Sequence, residues 1–254
     1  MEFTPQRTVI IAGVICFACS IFVATSAVGL KDRQDANEVL DRQKKVLDVA
    51  GLLDAKISQD PAAIQTQYDD RIKPELVPLK AGGCKGLETD GFDQQAVAKN
   101  PETSVKAPKN KAQVGRIPNC ALIFNVRVAK GSEKIETIIL PVEGKGLWST
   151  LYGYLALDPK GVDVKGLTFY KHAETPGLGG EVDNPKWKKQ WKGKKAFDKG
   201  DAKPKLYVKK GQANDAYSVD GLSGATLTSN GVTYLLQFWL GENGFGDHLK
   251  KQRT

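Results

Sequence analysis

Two stretches of the sequence combine residue types and spacings that could do chemistry. The first is Asp220-Gly221-Leu222-Ser223-Gly224-Ala225-Thr226-Leu227-Thr228-Ser229-Asn230, small, hydroxyl-rich and followed by the apolar run Val232–Leu240. Free backbone amides at the amino end of a helix form a natural anion site, because they lack intrahelical acceptors and the helix dipole favours negative charge. Phosphate binding is therefore one reading. A plain capping loop, with Ser229 or Asn230 as N-cap, is the other, and the residues alone do not choose. A nucleophile elbow fits poorly: Gly221-Leu222-Ser223-Gly224-Ala225 has alanine where GxSxG needs its last glycine, and only His172 and His248 could act as base. The second stretch is His172-Ala173-Glu174-Thr175-Pro176-Gly177-Leu178-Gly179-Gly180. His-x-Glu in a strand would put two ligating side chains on one face, but no third ligand lies nearby and a metal site is not expected. The glycines and proline predict a tight loop whose backbone can lie against a flat ligand.

These loops need elements to hold them. Segments rich in apolar and aromatic residues suggest strands at 121–128, 135–142, 151–157 and 164–170, with shorter ones at 205–208 and 216–219. Asp158-Pro159-Lys160-Gly161 has proline second and glycine fourth, the chemistry of a tight turn between two of these strands. A final helix is expected from about Ser229 to Leu240, followed by a basic tail, and a further helix over Ala36–Leu53. The region 74–116 is broken by glycine, proline and lysine, and 98–115 reads as an exposed loop. No internal repeat is visible. The expected class is α+β, a mostly antiparallel sheet with flanking helices, preceded by one N-terminal transmembrane helix.

That transmembrane segment is Thr8–Leu30, which contains no charged residue and no proline. At about 1.5 Å per residue it spans a hydrocarbon core of roughly 30 Å. It is longer than the apolar region of a usual signal peptide, although Ala24-Thr25-Ser26 could pass as a cleavage site. The organisation expected is a tail at 1–7, a membrane helix at 8–30, a connecting helix at 31–56 and a globular domain at 57–254. Charge does not fix orientation: Arg7 precedes the segment, Lys31, Arg33, Arg42, Lys44 and Lys45 follow it, and long domains translocate largely regardless. Cys16 and Cys19 read as small residues within the membrane helix. Cys84 and Cys120 could pair in an oxidising compartment or stay free. The net charge of +8 fits a polyanion partner, a membrane surface or a well-solvated protein. Eleven lysines lie between Lys186 and Lys210, interleaved with Trp187 and Trp191. On an exported, anchored protein this pattern suggests a solvated face or a contact surface for partner subunits or anionic headgroups; no nucleic-acid partner is expected.

The SGAT run with its preceding aspartate, and HxETPGLG some fifty residues upstream, together resemble the covalent FMN-binding domain family. The resemblance implies an FMN joined through its phosphate to Thr226 by a flavin transferase, with Asp220, Ser223, Gly224 and Ala225 completing the motif and Thr228 outside the acceptor position. It further implies that Glu174, Thr175, Leu178 and Gly179 line the flavin, with Trp148 and Ser149 nearby. Lys45–Leu52, Gly144–Ser149, Leu151–Leu157 and Asn184–Trp191 resemble the NqrC family, the flavin-bearing chains of sodium-translocating NADH:quinone reductases, with the RnfG chains of the Rnf electron-transport complex as one alternative and a non-enzymatic anchored anion-binding module as the other. From that likeness come an electron-carrying role beside subunits B, D and E, a bacterial inner-membrane anchor with a periplasmic domain, and no activity by the chain alone.

Overall fold

The computed structural model describes residues 4–54, 57–80, 83–198 and 203–253, which fall into two units, one ending at Arg42 and one beginning at Gln43. The first unit lies almost wholly in helix α1, Pro5–Ala50. Its apolar side chains, among them Val9, Ile10, Val14, Phe17, Phe22 and Val28, are exposed on all sides, which suits a bilayer and not water. The helix is long and apolar enough to cross a membrane. No break occurs near Lys31: the expected connecting helix is the continuation of α1, and it stops at Ala50 and not at Leu53. Gly51 ends it with φ +73°, its amide reaching Asp48 O at 3.0 Å while Leu52 N reaches Leu47 O at 2.9 Å, a Schellman closure.

The second unit is built on an antiparallel sheet of five strands in the order β1-β4-β5-β6-β7. These are β1 (Ile72–Pro78), β4 (Cys120–Arg127), β5 (Ile135–Lys145), β6 (Thr150–Leu157) and β7 (Val164–Lys171). The last four stand where the sequence placed them. Strand β1 was not expected because Pro74 and Pro78 interrupt it; at the sheet's edge a proline is tolerated, since the missing N–H faces away from the ladder. The β6–β7 turn is as read from Asp158-Pro-Lys-Gly161: Gly161 N donates to Asp158 O at 2.8 Å, and Asp158 Oδ1 takes the amides of Val162 and Asp163 at 2.7 Å.

One sheet face carries Leu140, Val142, Leu151, Leu155 and Phe169, in a single apolar cluster with Val232, Leu235, Leu236 and Trp239 of α5 (Thr226–Leu240). Contact is close enough that a Cβ on Gly144 would stand 2.6 Å from Leu235 Cβ. On the other face, Tyr68 of α2 (Pro61–Arg71) meets Phe124 edge-on, Phe124 meets Tyr154, and the end of α1 lies against Gly166 through Val49. Helix α5 therefore starts on one sheet face and delivers its amino end to the rim, where the strand-connecting loops gather.

The segment 98–115 is not simply an exposed loop. It contains the end of α3 (Gln94–Lys99) and β2 (Ser104–Lys106), which pairs with β3 (Arg116–Pro118), and Ser104, Ala112 and Val114 are buried. Asn110 organises the turn, accepting from Val114 N at 3.0 Å and donating to Val114 O at 2.9 Å, and Lys145 N bonds Ala112 O at 2.8 Å. Its lysines advertise exposure while the residues between them turn inward. Cys84, between β1 and α3, is disulfide-bonded to Cys120 and ties that connection to the start of β4. The two short late strands, β8 (Tyr207–Lys209) and β9 (Ser218–Asp220), pair parallel. Both tryptophans of the lysine-rich stretch are in the core, Trp187 on α4 (Pro185–Lys189) and Trp191 just after it, so neither offers a stacking platform. Helix α6 (Gly246–Arg253) forms the basic tail.

Candidate functional site

Three loops meet at the rim beside α5, and Glu174 holds them together. Its carboxylate is buried and accepts from Leu147 N at 3.1 Å, Trp148 N at 3.0 Å, Ser149 N at 3.1 Å and Thr228 Oγ1 at 2.7 Å. Four donors match the four lone-pair positions of a carboxylate, so Glu174 joins the 146–149 loop to the first turn of α5 and keeps nothing for a ligand. Burial acts to raise its pKa, but the Thr228 hydroxyl and the three amides outweigh it and hold the group below its ordinary value. The junction is tight. A Cβ at Gly146 would stand 2.6 Å from Glu174 Oε1, and one at Gly179 would stand 2.6 Å from Thr228 Oγ1.

The other sequence-selected residues divide between scaffold and surface. Ser149 is scaffold: its hydroxyl accepts Ala173 N at 2.7 Å, closing the same junction. Thr175 is exposed and opens a turn in which Leu178 N reaches Thr175 O at 3.1 Å, with Pro176 second and Gly177 third at φ +75°, the requirement of a type II turn. That turn pushes Leu178 outward, 44% exposed. Asp220 is scaffold too: Oδ1 accepts Ala213 N at 2.6 Å and Oδ2 accepts Gln190 Nε2 at 3.1 Å. His172 bridges Asp183, at 2.8 Å through Nε2, and the Glu174 amide, at 3.2 Å through Nδ1.

Helix α5 begins at Thr226, not at Ser229. Neither Ser229 nor Asn230 caps it, and Ala225 in the N-cap position supplies no side-chain acceptor. Ser229 Oγ instead receives Leu222 N at 3.1 Å and fixes the preceding turn. Gly224 takes φ +69°, and a Cβ there would come within 2.9 Å of Leu178 Cδ2, so the SGAT turn and the ETPGLG turn touch. Thr226 and Ser223 are exposed, whereas Thr228 is fully buried and donates to Glu174. Beside Thr226 lies a recess of about 440 Å³ lined by Ser223, Gly224, Asn230, Lys209 and Lys210 among others. Hydroxyls, an uncapped helix start and two lysines form a donor set that suits a phosphate.

Apolar exposure is concentrated at the same rim. Outside α1, the large apolar side chains exposed among the described residues are Val105, Val128, Leu147 (42%), Trp148 (67%), Leu178 (44%) and Leu227 (60%), and the last four flank the Glu174 junction or the start of α5. Trp148, which a β-rich domain more often buries, is the most exposed of the six. Lys145 Nζ donates to Trp148 O at 3.0 Å and props this loop. Leu147 and Leu227 were not singled out from sequence. Their neighbours in the motifs were a signal, but strand and helix periodicity give no warning that an apolar side chain faces outward.

Comparison with known proteins points the same way. Residues 146–241 match the FMN-binding domain family. The chain is 43% identical over 251 residues to the NqrC chain of the Na(+)-translocating NADH-quinone reductase of Yersinia pestis, covering 97% of this chain and 92% of that one. It is 45% identical over 243 residues to the corresponding chain from Vibrio vulnificus, covering 94% and 92%. The fold superposes on the crystal structure of Shewanella oneidensis NqrC with a TM-score of 0.74 and 33% identity, covering 86% of this chain and 99% of that one.

Proposed function

Because the chain belongs to the NqrC family, the FMN-binding members of the Na+-translocating NADH-quinone reductase complex, we propose that it holds its FMN covalently, by a phosphoester to Thr226 Oγ1, and relays electrons between partner subunits. The observation that carries the linkage is the contrast within one helical turn: Thr226 is exposed at an uncapped helix start beside a recess of suitable donors, while the equally nucleophilic Thr228 is buried and engaged. A flavin transferase can reach the first hydroxyl and not the second.

The residues fit the group in two zones. Ser223, the amides about Gly224 and Ala225, and the first-turn amides of α5 hold the phosphate, with Lys209 and Lys210 supplying positive charge along the recess. Leu178, Leu227 and Trp148 offer apolar surface to the isoalloxazine ring, with Thr175 at the edge. Glu174, Gly179, Ser149 and Asp220 act one layer behind, keeping the three loops in register. Bound FMN supplies the redox chemistry; the protein fixes its place and its surroundings. The membrane helix, the Cys84–Cys120 disulfide and the family together support a bacterial inner-membrane protein with its folded domain in the periplasm, where a tether prevents loss of a scarce cofactor. Subunits B, D and E are the partners proposed.

Intact-mass measurement with peptide mapping, on protein expressed with a flavin transferase, tests this. An adduct of FMN minus water localised to Thr226 is the expected result. Unmodified protein under those conditions, or an adduct on Ser223 or Thr228, would sink the assignment.

A further inference from the structure

The lysine-rich stretch also lines a second recess, which shares no lining residue with the one beside Thr226. Several of its lysines are engaged: Lys188 Nζ with Asp48 at 2.7 Å and Thr168 Oγ1 at 3.2 Å, Lys194 with Asp215 O at 2.8 Å, Lys195 with Asp163 at 2.8 Å. Lys189 and Lys192 are different. With Lys165 of β7 they are exposed and line a recess of about 730 Å³ between β7, α4 and the turn that ends α1. Five cations (Arg71, Lys165, Lys188, Lys189, Lys192) and two carboxylates (Asp48, Glu136) line it. Both carboxylates are already paired, Asp48 with Lys188 and Glu136 with Arg71, so the surplus of positive charge rests on Lys165, Lys189 and Lys192.

We propose that this recess is the docking site for an acidic segment of another subunit of the reductase complex. The partner class rests on the family assignment; the charge and shape rest on this chain. Gathering like charges around one concavity costs self-repulsion in the free protein, which an anionic partner relieves. The recess is also concave down to Leu167 and Thr168, 2% and 1% exposed, which a planar lipid surface does not follow and a chain with projecting Asp and Glu side chains does. With Trp187 and Trp191 in the core, no aromatic side chain lines the recess among the described residues to favour nucleic acid.

The test uses the assembled complex. A carbodiimide, which joins amines directly to carboxylates, is expected to link Lys165, Lys189 or Lys192 to an Asp or Glu of another subunit, read by peptide mapping. The triple variant K165E/K189E/K192E is expected to keep its disulfide, its melting temperature and its flavin, yet associate with the remaining subunits roughly tenfold or more weakly, increasingly so at low salt. The corresponding triple arginine variant is expected to associate normally. Normal assembly of the glutamate variant overturns the proposal. So does a defect confined to sedimentation with phosphatidylglycerol vesicles, which would make the face a lipid contact, or one confined to inorganic phosphate binding. Failure of covalent flavinylation at Thr226 would leave the cross-linking result intact, so the two readings fail separately.

Discussion

Thr226 and Thr228 carry the same hydroxyl two positions apart in one motif, and the fold gives them opposite surroundings, the first exposed and the second buried against Glu174. Thr226→Ala is expected to abolish covalent flavin while leaving the melting temperature nearly unchanged, because an exposed first-turn hydroxyl contributes little to stability; flavin retained on that variant would reject the site. Thr228→Val is expected to do the reverse. It removes a buried hydrogen bond to a carboxylate, a loss of roughly 1.5–3 kcal/mol, while the acceptor hydroxyl stays in place, so urea unfolding should shift and the flavin adduct should persist in whatever folds. Glu174 adds a pH signature. Its folded-state pKa is lowered, so its contribution is complete above the ordinary carboxyl range and is lost as pH falls through the folded value. Glu174→Gln should therefore be less stable than the parent at neutral pH, with the gap narrowing under acid; a gap of constant size down to about pH 3, below the ordinary carboxyl range, would mean that the carboxylate is not the stabilising species. The motif already set Thr226 apart from Thr228 as acceptor, but it did not reveal which polar groups the protein spends on itself. The motif named Glu174, Ser149 and Asp220 as site residues, and only packing shows that their polar atoms are spent on protein donors.

At the level of elements, what was readable was a dense apolar and aromatic run or a strong punctuator. Strands β4 to β7 and the Asp158–Gly161 turn qualify; β1 does not, because its prolines are acceptable only at an edge, and edge position is a tertiary fact. The start of α5 was misplaced for a related reason: Ser229 looks like a cap, but its hydroxyl serves Leu222 N, and the helix starts uncapped at Thr226. An uncapped start has a local cost that a bound phosphate can offset, so the irregularity marks the site. Strand β5 carries a second local cost. Burial pushes the Glu143 carboxyl up to about 7 against the pull of Lys99. An acid whose folded pKa is raised loses stability as pH climbs from its ordinary value to the raised one, then stays level. Glu143→Gln, isosteric with the protonated acid, should match the parent near pH 4 and exceed it above pH 7 by roughly 3 kcal/mol. Parallel urea midpoints across that range would refute the burial account.

For the molecule as a whole, an uncharged run of apolar residues foretold the long apolar N-terminal helix, whereas its sidedness was not readable, since flanking lysines and arginines count weakly against a long translocated domain. The cysteines supply the missing argument. Cys84 and Cys120 are bonded across 36 residues, and such bridges persist in an oxidising compartment and are rare where glutathione keeps thiols reduced. Cys16 and Cys19 remain free in the membrane helix. Together they make the side of the membrane a chemical observable. Denatured in alkylating reagent straight from cells, the full chain should take label on Cys16 and Cys19 alone, and on all four cysteines only after reduction. Cells lacking their periplasmic thiol oxidant should yield four labelled cysteines and less folded protein, by the roughly 2–4 kcal/mol that a native bridge contributes. Four labelled cysteines from normal cells would place Cys84 and Cys120 in a reducing space. A periplasmic FMN domain would then be untenable, and the electrons it carries would have to be exchanged on the cytoplasmic face.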